Sequence, residues 1–228
     1  CNVAVGNNAL LLNRANNSTA LGSSSMTLHV NGANNASFRY VALASNTYIN
    51  FNPAVGCETM RDNTTRCCNT AHGMCALYCA TTGNNNVGVG HSAGYTGNGG
   101  FVNITTQSNR IVMGNASHSC AQIQVGWTTV SDCRDKTQIA DLDLGLQFVE
   151  QLRPVEFYYR KDRNTDEPNG KLRYGFIAQE IAEAEAGKDV IVSMDDPERL
   201  MWTSDNLVPV LVNAIQELTA RVKELESR

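Results

Sequence analysis

The sequence predicts a protein in two parts: a β-rich repeat forming an intertwined fibre over residues 1–130, and an α+β domain over residues 131–228. The second part is predicted to end in a long coiled-coil helix at 205–228. Three observations support this fold class: a change of composition after residue 130, a short phrase that recurs before it, and a heptad pattern at the end.

The composition changes sharply at Ser131. Residues 1–130 contain seven charged residues, namely five Arg and the two acids Glu58 and Asp62, and no Lys. Residues 131–228 contain 13 basic and 20 acidic residues. Asn changes in the opposite direction, with 21 before Ser131 and four after it. We therefore place a domain boundary between Val130 and Ser131.

The first part repeats an apolar pair, a glycine and small polar residues, as in "NVAVGNNAL" from Asn2 and "NVGVGHSAG" from Asn86. Alternating small apolar residues favour short strands, and Gly and Asn tolerate the positive φ of tight turns. Such repetition predicts a stacked β architecture. Because the repeat has few large apolar residues, we expect identical chains to intertwine and share a core. The regular Val, Ala and Leu content argues against the alternative, a disordered linker.

The middle of this part, from Ser37 onward, is predicted to be less regular. Five cysteines lie between Cys57 and Cys79, with His72 among them. The spacings lack the paired knuckles of zinc sites, so disulfides or buried thiols are expected and no metal. No cofactor is predicted either, since the chain has no phosphate-binding loop of the Walker type.

The second part predicts strands and helices in alternation. "AQIQVGWTTV", residues 121–130, alternates like a half-buried strand that runs into Ser131. A helix follows and ends before Pro154. "PVEFYYRKD" is predicted as a strand, "RYGFIAQEIAEAEA" as a strand or turn and then a helix, and "DVIVSM" as a short strand. This order favours a small α+β domain.

The last segment has a heptad pattern. Val208, Ile215 and Val222 are spaced by seven, and a leucine follows each of them by three. This a/d pattern predicts a coiled coil of identical chains; the alternative is a single amphipathic helix that lies on its own core.

One pair could carry chemistry: Ser131 and, five residues later, Lys136. A serine hydroxyl is a poor nucleophile until a base removes its proton. The second part has no histidine, and His118 is 13 residues upstream, so Lys136 is the natural base, with Asp132 or Asp135 as alternatives. A free lysine has a pKa of about 10.4 and is protonated near neutrality. A lysine base would therefore need burial, which an oligomer interface could supply.

The motifs "SDCRDK", "LGLQFVEQLRPVEFYYR" and "YGFIAQEI", followed by the heptad tail, resemble the C-terminal intramolecular chaperone domain of endosialidases, phage tail spikes and fibres, and phage neck appendages. The same domain occurs in a membrane-tethered myelin transcription factor. The resemblance covers residues 131–228, and the ordered set of four motifs is its specific feature. The recurring phrases of the first part also resemble the fibre segments that precede this domain in viral proteins.

The resemblance implies a homotrimer that templates folding of its own N-terminal fibre segment and then cuts itself off between Val130 and Ser131. Ser131 would be the nucleophile and Lys136 the general base, with Asp132 and Arg134 completing the motif. It further implies a virion location, with a host surface receptor or glycan as a partner for the fibre, and neither nucleic acid nor membrane. Tyr174, Gly175 and Gln179 match the third motif, and we interpret them as packing and interface residues.

The main alternative is a trimerisation module that does not cleave and stays on a receptor-binding fibre. A transcription factor is disfavoured because the first part has no Lys and no basic patch. A glycan-cutting enzyme in the first part is also disfavoured, because Glu58 and Asp62 lie too close in the chain to form the two sides of a cleft.

Overall fold

The computed structural model describes residues 1–14, 16–48, 50–161 and 163–228. These residues form two compact units, Cys1–Ala121 and Gln122–Arg228, which we call the solenoid unit and the C-terminal unit. The units divide upstream of Ser131. The structural division after Ala121 differs from the domain boundary predicted between Val130 and Ser131, which stays a prediction.

The solenoid unit contains one seven-stranded parallel sheet with its strands in chain order. From the second strand to the sixth, each residue pairs with the one 17 positions later, so one turn of the chain takes 17 residues. This arrangement of one short strand per turn is a β-solenoid, which confirms the predicted stacked β architecture. Its strands are β1 (Val3–Val5), β2 (Thr19–Leu21), β3 (Ala36–Phe38), β4 (Pro53–Val55), β5 (Thr70–His72), β6 (Val87–Val89) and β7 (Ile111–Met113).

A single chain fills the interior of this solenoid. The middle residue of the strands points inward, as Ala54 and Ala71 do, and is buried. Larger side chains such as Leu43, Met60 and Leu77 enter from the turns that follow the strands and are fully buried. The core therefore closes without contributions from other chains. The predicted intertwining of chains stays a prediction.

The middle of the solenoid is as regular as its ends, so the prediction that it is less regular is wrong. Gly56 and Gly73 continue the glycine position that the recurring phrases mark elsewhere. A Cβ on Gly56 would lie 2.5 Å from the carbonyl oxygen of Gly73, and both residues have positive φ. The pattern is hard to see in the sequence because Arg39 takes the glycine position in the third turn, next to β3.

Buried asparagines join successive turns and explain much of the Asn content. The backbone N–H of Asn52 donates to the side-chain oxygen of Asn35 at 3.0 Å, and the N–H of Asn69 donates to Asn52 at 2.9 Å. The N–H of Asn86 donates to Asn69 at 2.8 Å. All four asparagines are buried. Each side chain therefore accepts a hydrogen bond from a backbone N–H that would otherwise be buried without an acceptor.

The C-terminal unit is a small α+β arrangement with two separate two-stranded antiparallel sheets. The strands pair as β8 with β9 and as β10 with β11. Its elements are α1 (Leu146–Val149), β8 (Val155–Arg160), β9 (Pro168–Gly175), α2 (Ala178–Ala184), β10 (Val192–Ser193), β11 (Met201–Trp202) and α3 (Ser204–Glu226).

The helices and the short β10–β11 sheet enclose the core of this unit. Phe148 of α1, Ile181 of α2 and Val192 of β10 are buried together with Leu207 and Val210 of α3. One face of helix α3 therefore packs on the core of its own chain. This agrees with one of the two alternatives, the amphipathic helix that lies on its own core.

Of two expected strands, one is missing from the structure and the other is present. The strand expected over residues 121–130 is not formed, and Val125 and Trp127 are 75% and 81% exposed. The described residues provide no neighbouring strand there, and a lone strand has no partner for its backbone hydrogen bonds. The strand "PVEFYYRKD" is confirmed over Val155–Arg160, and its last residue, Asp162, lies outside the described residues.

Candidate functional site

The predicted site is a short 3₁₀ turn at Cys133–Asp135. The backbone N–H of Lys136 donates to the carbonyl of Cys133 at 3.2 Å, and the N–H of Asp135 donates to the carbonyl of Asp132 at 3.1 Å. This tight turn bends the chain so that Lys136 comes back towards Ser131. Five consecutive peptide bonds thus bring together two side chains that an extended chain would hold far apart.

Asp132 and Arg134 hold the turn from outside. A carboxylate oxygen of Asp132 accepts from the backbone N–H of Arg134 at 2.9 Å, which caps the start of the 3₁₀ turn. The guanidinium of Arg134 donates to both carboxylate oxygens, at 3.0 Å from Nε and 2.6 Å from Nη2. The hydrogen bond from this guanidinium lowers the pKa of Asp132 below its usual value. In this geometry Asp132 caps the turn and forms a salt bridge with Arg134.

The side chain of Lys136 reaches Ser131. Its Nζ donates to the serine Oγ at 2.7 Å, a short hydrogen bond between the two residues expected to form the dyad. A lysine amine this close could take the hydroxyl proton if it were neutral.

Both side chains are open to solvent in the single chain. Ser131 and Lys136 are exposed, and Val130, on the other side of the peptide bond expected to break, is 83% exposed. The described part of a single chain therefore gives the amine no burial that would favour its neutral form. Donor and acceptor are thus within hydrogen-bond distance, in surroundings that are open to solvent.

The chain that follows the site is anchored to α3 by two polar residues. The side-chain amide of Asn213 donates to the carbonyls of Leu142 and Leu144, at 3.1 and 3.0 Å. A carboxylate oxygen of Glu217 accepts from the backbone N–H of Leu146 at 2.9 Å. Neither Asn213 nor Glu217 was predicted from the sequence as an anchor. No local pattern distinguishes such anchors from solvent-facing polar residues.

Helix α3 has a second apolar face that nothing in the described chain covers. The buried residues Leu207, Val210 and Ala214 form the inner face. The heptad residues all stay exposed on the outer side, at fractions from 39% to 66%; they are Val208, Leu211, Ile215, Leu218, Val222 and Leu225. We call this second face the heptad seam. An uncovered apolar stripe of this length is typical of a helix that packs against other helices.

The β8–β9 hairpin is similarly uncovered. Tyr174, from the motif that contains Gly175 and Gln179, is 82% exposed, and Tyr158 and Tyr159 are more than half exposed. Gly175 packs against the ring of Phe157, since a Cβ there would lie 3.1 Å from it. Gly175 therefore has a packing role, whereas an interface role for Tyr174 stays a prediction.

The eight cysteines are free thiols, and Cys75 is buried. For the cysteines between Cys57 and Cys79, disulfides or buried thiols were expected; the structure has no disulfide among them, and a buried thiol only at Cys75. The described residues contain no group of three or more His, Cys, Asp or Glu side chains suited to a metal ion. In the same ranges, no helix combines the length and the apolar character needed to cross a membrane.

Comparison with known protein families finds a match within the C-terminal unit. Residues 131–190 match the family model described as chaperone of endosialidase, which carries a peptidase name. This match supports the resemblance seen in the motifs and begins at the serine of the candidate site. No curated protein and no solved structure matches the chain.

Proposed function

We propose that the C-terminal unit is an intramolecular chaperone that assembles three copies of the chain, guides folding of the preceding fibre and then releases itself by cutting between Val130 and Ser131. The family match supports the chaperone role. The observation that carries the cutting step is the 2.7 Å hydrogen bond between Lys136 Nζ and Ser131 Oγ, at the first residue of the matched segment.

The proposed reaction has two steps. In the first, neutral Lys136 takes the proton of the Ser131 hydroxyl while Oγ attacks the carbonyl carbon of Val130. The C–N bond then breaks, the nitrogen of Ser131 receives a proton, and an ester joins Val130 to Oγ. In the second step, water attacks the ester carbonyl, which gives the Val130 carboxylate and restores the serine hydroxyl. The new N-terminal residue is Ser131.

Assembly is proposed to switch this reaction on. The exposed heptad seam supports a coiled coil of identical chains, and the uncovered β8–β9 hairpin offers a further contact surface for copies or for the fibre segment. Burial of the dyad in the assembled state would favour the neutral amine, which the exposed single chain does not. Cutting would then follow correct assembly, so that only folded fibres lose their chaperone.

The remaining parts of the proposal concern the fibre. Its repeating solenoid supports a structural role, and we place it in a virion tail fibre or spike, where a host surface receptor or glycan would be its outer partner. Neither nucleic acid nor membrane is part of this function.

A second candidate is a trimerisation module that does not cut. The observation in its favour is the exposure of Ser131 and Lys136, because a charged lysine that donates to a serine can simply hold a turn. Denaturing electrophoresis and light scattering of the wild-type chain and Ser131→Ala separate the candidates. The proposed function predicts trimers of both and cutting of the wild type alone. Intact wild-type trimers would establish the second candidate instead.

A further inference from the structure

A groove on the solenoid unit is lined by side chains of three successive turns. Arg39 follows β3, Val55 and Cys57 lie at the end of β4, and His72 and Met74 lie at the end of β5. Its volume is about 370 Å³, the size of a site for a small ligand of one ring. A guanidinium and an imidazole thus share one concave surface with two apolar side chains.

Arg39 occupies a position that glycine holds in the other turns. Its φ is +102°, the largest positive φ of any non-glycine residue in the described ranges, and the neighbouring Gly22 and Gly56 have φ of +139° and +143°. A side chain is disfavoured in this backbone conformation, so the arginine is retained at the expense of stability. Strain of this kind is a reason to look for a function of the side chain.

The guanidinium of Arg39 has no acidic partner in the described part of the chain. The solenoid unit has two acids, and one of them, Glu58, lies 4.0 Å from Arg61 and close to Cys75. Within the ranges that the structure describes, no hydrogen bond or ion pair engages the side chain of Arg39. Arg39 lines the groove, and its permanently charged guanidinium has its N–H donors available.

We infer that this groove binds an oxyanion carried on a ligand of about one sugar ring in size. The guanidinium of Arg39 would donate two parallel hydrogen bonds to a carboxylate or sulfate group. His72 would supply a further donor, and Val55 and Met74 would contact the carbon skeleton. The inference stands on the solenoid unit alone and does not depend on the proposed self-cleavage.

The test compares the full chain with Arg39→Gly, which restores the glycine of the repeat. Arg14→Gly is the matched control, because Arg14 is also exposed and its loss changes the charge equally, but it does not line the groove. The probes are glucuronate, inorganic sulfate and, as a neutral control, glucose. Binding is followed by calorimetry and by the ring resonances of His72.

We expect glucuronate, sulfate or both to bind the wild type and the control with a Kd on the order of 1 mM. Binding should weaken at least tenfold in Arg39→Gly, while glucose should not bind. Arg39→Gly should also unfold at a higher temperature than the wild type, which shows that its lost binding is not caused by a lost fold. Binding of glucuronate alone would identify a carboxylate site, and binding of both probes a general oxyanion site. Absence of binding by either anion, or equal binding by Arg39→Gly, would overturn the inference.

Discussion

The heptad seam of α3 gives the most quantitative prediction about assembly. Ile215, at the centre of the seam, is 63% exposed in the single chain. Full burial of such a side chain contributes about 1.5–3 kcal/mol, so covering its exposed part would contribute about 1–2 kcal/mol per chain and about 3–6 kcal/mol per trimer. Ile215→Asp removes this contribution and adds the desolvation of a carboxylate, about several kcal/mol per charge.

The combined change should lower the association constant by more than about a thousandfold, since about 1.4 kcal/mol corresponds to a factor of ten. The single chain should keep its own stability within about 0.5 kcal/mol, because the side chain faces solvent there. Sedimentation velocity at micromolar concentration measures the populations of monomer and trimer. The Ser131→Ala background keeps the 24.8 kDa chain intact.

Gln216→Asp is the matched control for this experiment. It introduces the same charge one residue later, at an exposed position outside the seam. The control should remain trimeric while Ile215→Asp becomes monomeric. Equal association of the two variants would refute the reasoning that the seam joins the copies.

Two further predictions concern the solenoid. Asn52→Ala removes the buried amide that donates at 2.8 Å to the carbonyl of Asn50 and at 2.9 Å to that of Arg66, and that accepts at 2.9 Å from the N–H of Asn69. The buried Arg66 carbonyl and Asn69 N–H therefore lose a partner. At about 1–3 kcal/mol for each of these two groups, unfolding by denaturant should show a loss of about 2–6 kcal/mol, against less than about 0.5 kcal/mol for the exposed Asn7→Ala. Burial lowers the pKa of His29, so its neutral form is favoured in the fold and stability should fall as pH drops below about 6.5. His29→Asn, which copies Asn46 and Asn63 at the same position of the next two turns, should flatten the decline of the unfolding temperature between pH 7 and 5; an unchanged decline would show that other groups cause it.

The repeat shows how far local patterns predict a fold. The recurring phrases that contain Gly6 and Gly90 predicted stacked strands, and the structure confirms a stack of parallel strands. The 17-residue period was missed, because Arg39 breaks the glycine pattern and the last turn is longer, pairing residues 24 positions apart. The asparagine ladder was missed as well. An Asn that tolerates a tight turn and one that bonds to the next turn look the same until the period is known.

The strand expected over residues 121–130 shows a different limit. The alternation of Val125 and Trp127 with polar residues indicates that one side of the chain is apolar. It does not indicate which surface covers that side. The described single chain has no such surface, so these side chains are exposed. A segment that is completed by other chains can carry the pattern of a strand without forming one alone.

At the candidate site, spacing alone could not show that Ser131 and Lys136 meet. A serine and a lysine five residues apart come together only if the intervening chain turns, and this turn depends on Asp132 as a cap and Arg134 as its partner. The resemblance of the whole hexapeptide to a known motif supplied that information. The heptad pattern left two alternatives open, and the structure shows why: Val210 lies on the inner face of α3 while Ile215 lies on the outer one.

Denaturing mass spectrometry of the freshly expressed chain, beside Ser131→Ala and Lys136→Ala, tests the proposed self-cleavage most directly. The wild type should give two masses, one for a fragment that ends at Val130 and one for a fragment from Ser131 to Arg228. Both variants should give a single intact mass while light scattering shows that they are still trimers. An intact wild-type mass from an assembled trimer would contradict self-cleavage and leave the hexapeptide as a structural turn.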